Sequence, residues 1–327
     1  MNVLVAIYSP FAAWNIPDDH VARLRRTFAH HTFHHARTEA EVLPLMPDIE
    51  AAFTSELRPV HFAVASRLRW VHSPAAGVGS MLFPAMVGSG VVMSNSRGMS
   101  ADQIAEHVIG VTLALFRKLP MAFRRQAERH WAQDEAIAPP PLRTIGGSRA
   151  LLIGLGTIGA ACAWRLDALG ADVWSIRRRT DLPAPRGVTR VGRRADLEEM
   201  LPAADIVIIT AAQTRETRGL FGEAELAAMR PDAILVNVSR GKLVDEAALA
   251  RALGRGSIGG AALDVFEHEP LDPASPLWSL PNVIITPHMS GFRADHWDAA
   301  TDLFAENLRR FDAGEPLLNV VDKVVGY

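Results

Sequence analysis

The chain has 327 residues, too many for one comfortable hydrophobic core, so two domains are expected. Hydrophobic residues make up 49% and the formal net charge is −2, which excludes a disordered chain and leaves no electrostatic footprint for nucleic acid or a membrane surface. A single cysteine, Cys162, rules out an intramolecular disulfide framework, and no apolar run approaches the roughly 20 residues that span a bilayer, so a soluble cytoplasmic protein is the expectation.

The opening MNVLVAIYSP lacks the basic start and long apolar region of a signal peptide and reads as a first strand over Val3–Ile7. A helix follows over Asp19–Phe28. HHTFHH then gathers His30, His31, His34 and His35, but no carboxylate or cysteine joins them at a ligand spacing, so a solvated helix end and strand is the reading and no metal is expected. Ala51–Ser55 and Leu68–Ser73 read as the next strands. AAGVGSM, residues 75–81, is a glycine-bearing loop directly after the second of them. Its amides around Val78 and Gly79 either hold a small substrate carboxylate or only make a turn. After a strand at Val91–Ser94, an amphipathic helix is expected from about Ala101 to Leu119, with Ser100 as N-cap and Gln103 in the capping-box position. Residues 123–141 are charged, carry Trp131 and end in three prolines, as an excursion from the compact body would.

LLIGLGTIGAACAWRLDALGADVWSI, residues 151–176, is an apolar strand, a glycine turn, a helix and a second strand. Gly154, Gly156 and Gly159 stand at the G-x-G-x-x-G spacing of a dinucleotide-binding turn, in a βαβ unit of the right length. The helix N-terminus at Thr157 then favours a bound phosphate. Further strands over Ala204–Thr210, Ala233–Val238, Gly259–Val265 and Val283–Thr286 alternate with helices, the pattern of a doubly wound parallel sheet. Ligands of such sheets lie beyond the carboxyl ends of the strands. This makes Leu155, Thr157, Ile158, Thr210, Ala211, Val238, Ser239 and Gly291 candidate cofactor contacts beside the glycines. Residues 294–314 read as a last long helix, and the closing NVVDKVVGY as a tail returning to the N-terminal domain.

Two further features carry chemistry. NAD-binding units usually place an acid about 20 residues beyond the glycines, on the ribose 2′-hydroxyl. Here Arg177, Arg178 and Arg179 follow instead, which suits the 2′-phosphate of NADP unless they form only a solvated basic loop. Arg240, Glu269 and His288 each follow a strand end, and they are the groups that reduction of a 2-oxo acid requires. An arginine clamps the carboxylate and polarises the keto oxygen, a histidine gives the proton, and an acid orients the imidazole and favours its protonated form. Taken singly, each also reads as an ordinary surface or strand-end residue.

The stretches AAGVG, ADQIAEHVIG, GLGTIG, NVSRGKLVDE, GGAALDVFEHEP and ITPHMSG, spread over residues 70–291, resemble the D-isomer-specific 2-hydroxyacid dehydrogenase family. The resemblance implies an α/β fold of two Rossmann-like domains with doubly wound parallel sheets and a cleft between them. It implies Arg240, Glu269 and His288 as the catalytic trio and Asp264 at the nicotinamide carboxamide. The Val78 and Gly79 amides fall at the substrate carboxylate, beside Arg240 and His288. A homodimer formed through the helix and arm at about 101–141 is implied as well. Two departures stand out: NAD-preferring members usually carry Asp where Arg177 stands, and the family often has Asp in place of Gly79. Taken together, residues 1–98 with 288–327 form the expected substrate domain and residues 99–287 the cofactor domain. The expected activity is NADP(H)-preferring reduction of a glyoxylate- or hydroxypyruvate-like acid, with NAD(H) as the other candidate cofactor. The alternatives are a relative acting on phosphoglycerate, an aryl pyruvate or formate, and a nucleotide-sensing corepressor-like protein.

Overall fold

The computed structural model describes residues 1–326 and divides into two compact units, Met1–Met99 with the segment from Arg293 onward, and Ser100–Phe292. The first holds a five-stranded, all-parallel sheet built from β1 (Asn2–Ala6), β2 (Thr32–His35), β3 (Ala51–Thr54), β4 (Trp70–Ser73) and β5 (Val92–Asn95), in the order β2-β1-β3-β4-β5. Its inner strands are buried on both faces, as parallel sheets require. One face packs Leu4, Ala52, Val71 and Met93 under Met46 and Met86. On the other, Phe53 and Trp70 stack on Phe304 with ring centroids 4.4 and 5.2 Å apart. Phe304 belongs to the long C-terminal helix His296–Ala313, so the last helix completes the first core. The tail is fastened back by Lys323, whose Nζ donates to the carbonyls of Met86, Ser89 and Val91.

The second unit holds seven parallel strands: β6 (Arg149–Ile153), β7 (Asp172–Ile176), β8 (Val188–Gly192), β9 (Ile206–Ile209), β10 (Ile234–Asn237), β11 (Gly260–Leu263) and β12 (Val283–Ile285). Their order, β12-β11-β10-β9-β6-β7-β8, reverses between β6 and β9, and the carboxyl ends of those two strands define the switch point where ligands of such sheets bind. Helices Ala101–Phe116 and Thr157–Ala168 cover one face, burying Ala105, Val108, Cys162 and Leu166. Burial pushes the Cys162 thiol up to about 12, which makes it an inert packing group.

Four features differ from expectation. β8 was not anticipated: it is an edge strand paired only with β7, so its VTRVG sequence tolerates Arg190 and carries no apolar run. The helix from Ala101 stops at Phe116, because Lys118 turns left-handed (φ 55°) and its Nζ donates to the carbonyls of Ala136 and Ala138. Beyond it, the excursion is itself helical over Leu119–Ala127 and Gln133–Ile137. No capping box forms at Ser100, whose backbone (φ −113°, ψ 21°) is not extended; its side chain makes no cap bond, and among the described residues the buried Gln103 Oε1 has no partner. Finally, the chain re-enters the first unit at Arg293 and not at 288, because Asp264 fastens Met289 and Ser290 to the second.

Candidate active site

At the end of β6 the three glycines meet three different demands. Gly154 adopts φ +103°, and a Cβ there would lie 2.6 Å from the Ala211 nitrogen, so the turn is pressed against the end of β9. A Cβ on Gly159 would lie 2.4 Å from the Gly154 carbonyl oxygen, so the helix Thr157–Ala168 sits directly on the turn. Gly156, its N-cap, faces open space with nothing within 4 Å of a Cβ. Thr210 Oγ1 donates to the Gly154 carbonyl at 2.8 Å and Ser239 Oγ to the Ala211 carbonyl at 2.8 Å, tying β9 and β10 to the turn. Val238 is buried beside them, and Leu155 and Ile158 pack on the core below. The expected contacts therefore assemble at the switch point, and a glycine cradle leading into a helix N-terminus fits a dinucleotide pyrophosphate. Gly291 packs against Ser100 and Ile104 at the start of the helix Ala101–Phe116.

The three arginines after β7 separate. Arg177 folds onto its own loop, donating to the Leu182 and Pro183 carbonyls, while its buried Nε has no partner among the described residues. Arg178 and Arg179 are exposed, and Arg179 pairs with Asp181 at 3.4 Å.

Beyond β10, β11 and β12, the polar trio comes together. His288 Nδ1 lies 2.6 Å from Glu269 Oε2, and Glu269 Oε1 accepts the Phe266 N–H at 3.0 Å. Arg240, Glu269 and His288 line one cavity of about 230 Å³ with Gln213, Lys242 and Phe266. Burial raises the Glu269 carboxyl pKa, but the His288 hydrogen bond and charge, the Phe266 amide and the Arg240 charge outweigh it and hold the group below its ordinary value. Burial lowers the Arg240 pKa, partly offset by Glu269; its Nη1 donates to the Ser239 carbonyl at 2.6 Å. His288 itself sits at φ 51°, a left-handed conformation uncommon outside glycine and typical of sites that over-determine their backbone.

Val78 and Gly79 belong to the other unit, in the loop after β4. That loop is braced from β5 by Asn95 Nδ2, which donates to the Ala76 carbonyl at 2.6 Å, and by the Ser96 amide, which donates to the Ala75 carbonyl. Among the described residues, neither the Val78 nor the Gly79 N–H has a protein acceptor.

A family model described as "D-isomer specific 2-hydroxyacid dehydrogenase, NAD binding domain" matches residues 109–290, the stretch that holds the glycine turn and the trio. The chain belongs to the D-isomer-specific 2-hydroxyacid dehydrogenase family. As a D-2-hydroxyacid dehydrogenase it is an NAD(P)-dependent oxidoreductase, of a family whose chemistry is reduction of 2-oxo acids. It is 34% identical to a glyoxylate reductase of Korarchaeum cryptofilum over 81% of this chain and 79% of that one. It also resembles a family member from Xanthobacter autotrophicus Py2 solved with NADPH and MES (33% identity, TM-score 0.82, 99% of each chain). A third relative is an NADPH-dependent glyoxylate/hydroxypyruvate reductase of Sinorhizobium meliloti solved with NADP and malonate (29% identity, TM-score 0.82, 99% of this chain and 98% of that one).

In this dehydrogenase Asp264, expected only at the nicotinamide carboxamide, and several residues that sequence reasoning missed hold the trio in place. Asp264, 1% exposed, accepts the Thr286 hydroxyl at 2.6 Å and the amides of Met289 and Ser290 at 2.9 Å each, so it anchors both sides of His288. Thr286 Oγ1 also lies 3.3 Å from His107 Nε2. Gly241 lies so close to the next loop that a Cβ would fall 1.8 Å from the Phe266 carbonyl carbon. Glu246 and Glu267 clasp the same two loops, each backbone N–H donating to the other's carboxylate at 3.1 Å. A glycine directly after a candidate arginine was a readable signal of close approach; the carboxylate clasp left none.

Proposed function

We propose that the protein reduces a small 2-oxo acid of the glyoxylate or hydroxypyruvate type to the D-2-hydroxy acid, using NADPH in preference to NADH. The observation that carries this reading is the 2.6 Å contact between His288 Nδ1 and Glu269 Oε2 in one cavity with the Arg240 guanidinium. Glu269 accepts the Nδ1 proton bond and so fixes the tautomer and the ring, leaving Nε2 as the proton-donating atom. Arg240 binds the substrate carboxylate and polarises the keto oxygen, its enclosure strengthening both contacts. As the keto oxygen takes up negative charge, His288 Nε2 delivers the proton to it. Bound nicotinamide supplies the hydride for the keto carbon. The amides of Val78 and Gly79, without a protein acceptor among the described residues, are donors of the kind a carboxylate accepts.

NADP preference is supported by the absence of an acid after Ile176, by the exposed Arg178 and Arg179, and by the NADPH or NADP named with the Xanthobacter and Sinorhizobium relatives. The printed activities of the Korarchaeum and Sinorhizobium relatives support the substrate class. Loss of NADPH absorbance with a panel of 2-oxo acids tests the proposal: turnover of glyoxylate and hydroxypyruvate is expected. Tight NADPH binding without turnover of any acid would overturn it in favour of a nucleotide-sensing role.

We also propose a homodimer built on the arm, where Phe123, Trp131 and Ile137 are 62%, 88% and 69% exposed and offer apolar side chains that a partner would cover. Sedimentation should report two chains for the native protein and one for a Phe123→Asp, Trp131→Ala double variant; a monomeric native protein contradicts the proposal.

A further inference from the structure

We infer that His30, His31 and Asp312 form a binding site for a divalent transition cation of the zinc class. Read in sequence, the histidines lacked a carboxylate; the fold supplies one from 281 residues away. The turn after the helix Asp18–Thr27 places the His30 and His31 rings side by side, 4.1 Å between centroids, and the last turn of the helix His296–Ala313 brings Asp312 onto them. Asp312 Oδ2 lies 3.3 Å from His30 Nε2 and 2.8 Å from His31 Nε2, and the three donor atoms lie within 4.8 Å of one another.

A tetrahedral ion with bonds of about 2.0–2.2 Å separates its ligand atoms by about 3.3 Å. The His30 to Asp312 edge already has that length, and His31 has to retreat by about 0.5 Å. Two imidazoles and a carboxylate are ligands that suit zinc and its neighbours over magnesium or calcium, and water completes the shell. The surroundings favour this use. Asp312 stands at the carboxyl end of an 18-residue helix, where the free carbonyls favour a cation. Arg309 and Arg310, in the turn before Asp312, are drawn off by Glu306 at 2.9 and 2.8 Å. The ion would tie the turn at residue 30 to the helix that completes the first core, stabilising that unit and taking no part in the reaction.

Full-length protein freed of metal with a chelator and titrated with zinc chloride tests the inference. One zinc per chain is expected, with X-ray absorption showing two nitrogens and a carboxylate oxygen at about 2.0–2.2 Å. Removing even an outer partner of a metal ligand costs about 10–100-fold in affinity, so His30→Ala and Asp312→Ala should each weaken binding at least about tenfold. His34→Ala, in the same motif but bonded to Asn2 Oδ1, should leave it unchanged. The His30 side chain is 65% exposed, so its truncation spares the fold. No saturable zinc site, or one that neither variant weakens, would overturn the inference.

Discussion

The Asp264 carboxylate receives the Ser290 N–H at 2.9 Å, and through it a strand-end acid of β11 fixes the segment that carries His288. The other oxygen takes the Met289 N–H and the Thr286 hydroxyl, so the left-handed backbone at His288 is held from both sides. Asp264→Asn keeps the shape but turns one acceptor into a donor facing a backbone N–H. Leaving a buried polar group unsatisfied costs about 1–3 kcal/mol, and the loop that relaxes is the one carrying the proposed proton donor. We expect kcat for 2-oxo acid reduction to fall at least about tenfold, with the circular dichroism of the folded protein retained. Unchanged kcat would show that His288 is positioned by other contacts.

The first unit carries a buried polar relay that sets a pH limit. His72 is wholly buried, with Nδ1 2.7 Å from Ser94 Oγ, which also accepts the Trp70 indole N–H at 2.9 Å. Burial lowers its pKa to about 3, against the ordinary value of 6.5. Between those two values the unfolded chain binds a proton that the native state refuses. Its contribution to stability is therefore full above pH 6.5 and is lost as pH falls toward 3, at no more than about 1.4 kcal/mol per pH unit. Urea unfolding measured from pH 7 to pH 4 should show this slope, and His72→Gln should flatten it. Equal slopes in both proteins would mean that His72 charges in the native state.

Cofactor choice should depend on the exposed arginines beyond β7. Arg177 is committed to the carbonyls of Leu182 and Pro183, so the double variant Arg178→Ala, Arg179→Ala is the informative one. A charge-assisted contact to phosphate contributes about 1.5–3 kcal/mol, so KM for NADPH should rise about tenfold or more while KM for NADH stays near its native value. Parallel changes for both cofactors would remove these residues from 2′-phosphate recognition.

What could be read from residues alone was what local chemistry dictates. IVII and the ILV of ILVN are unbroken apolar runs because β9 and β10 are covered on both faces, and the spacing of Gly154, Gly156 and Gly159 states the turn that they make. Arg240, Glu269 and His288 were readable as residues after strand ends. Partnerships between distant segments were not: Asp264 with Ser290, Glu246 with Glu267, and Asp312 with His31 are joined by topology and by no sequence spacing. Edge strand β8 escaped because half of its surface needs no apolar residue, and the helix break at Lys118 because lysine gives no sign of a left-handed turn.

The central claim is that the His288 imidazole, held by Glu269, gives the proton to the reduced oxygen. Steady-state reduction of glyoxylate and hydroxypyruvate by His288→Gln, alongside fluorescence titration of NADPH, tests it most directly. The account predicts a loss of about 10²-fold or more in kcat with NADPH affinity unchanged. A variant that turns over either acid at close to the native rate would contradict it.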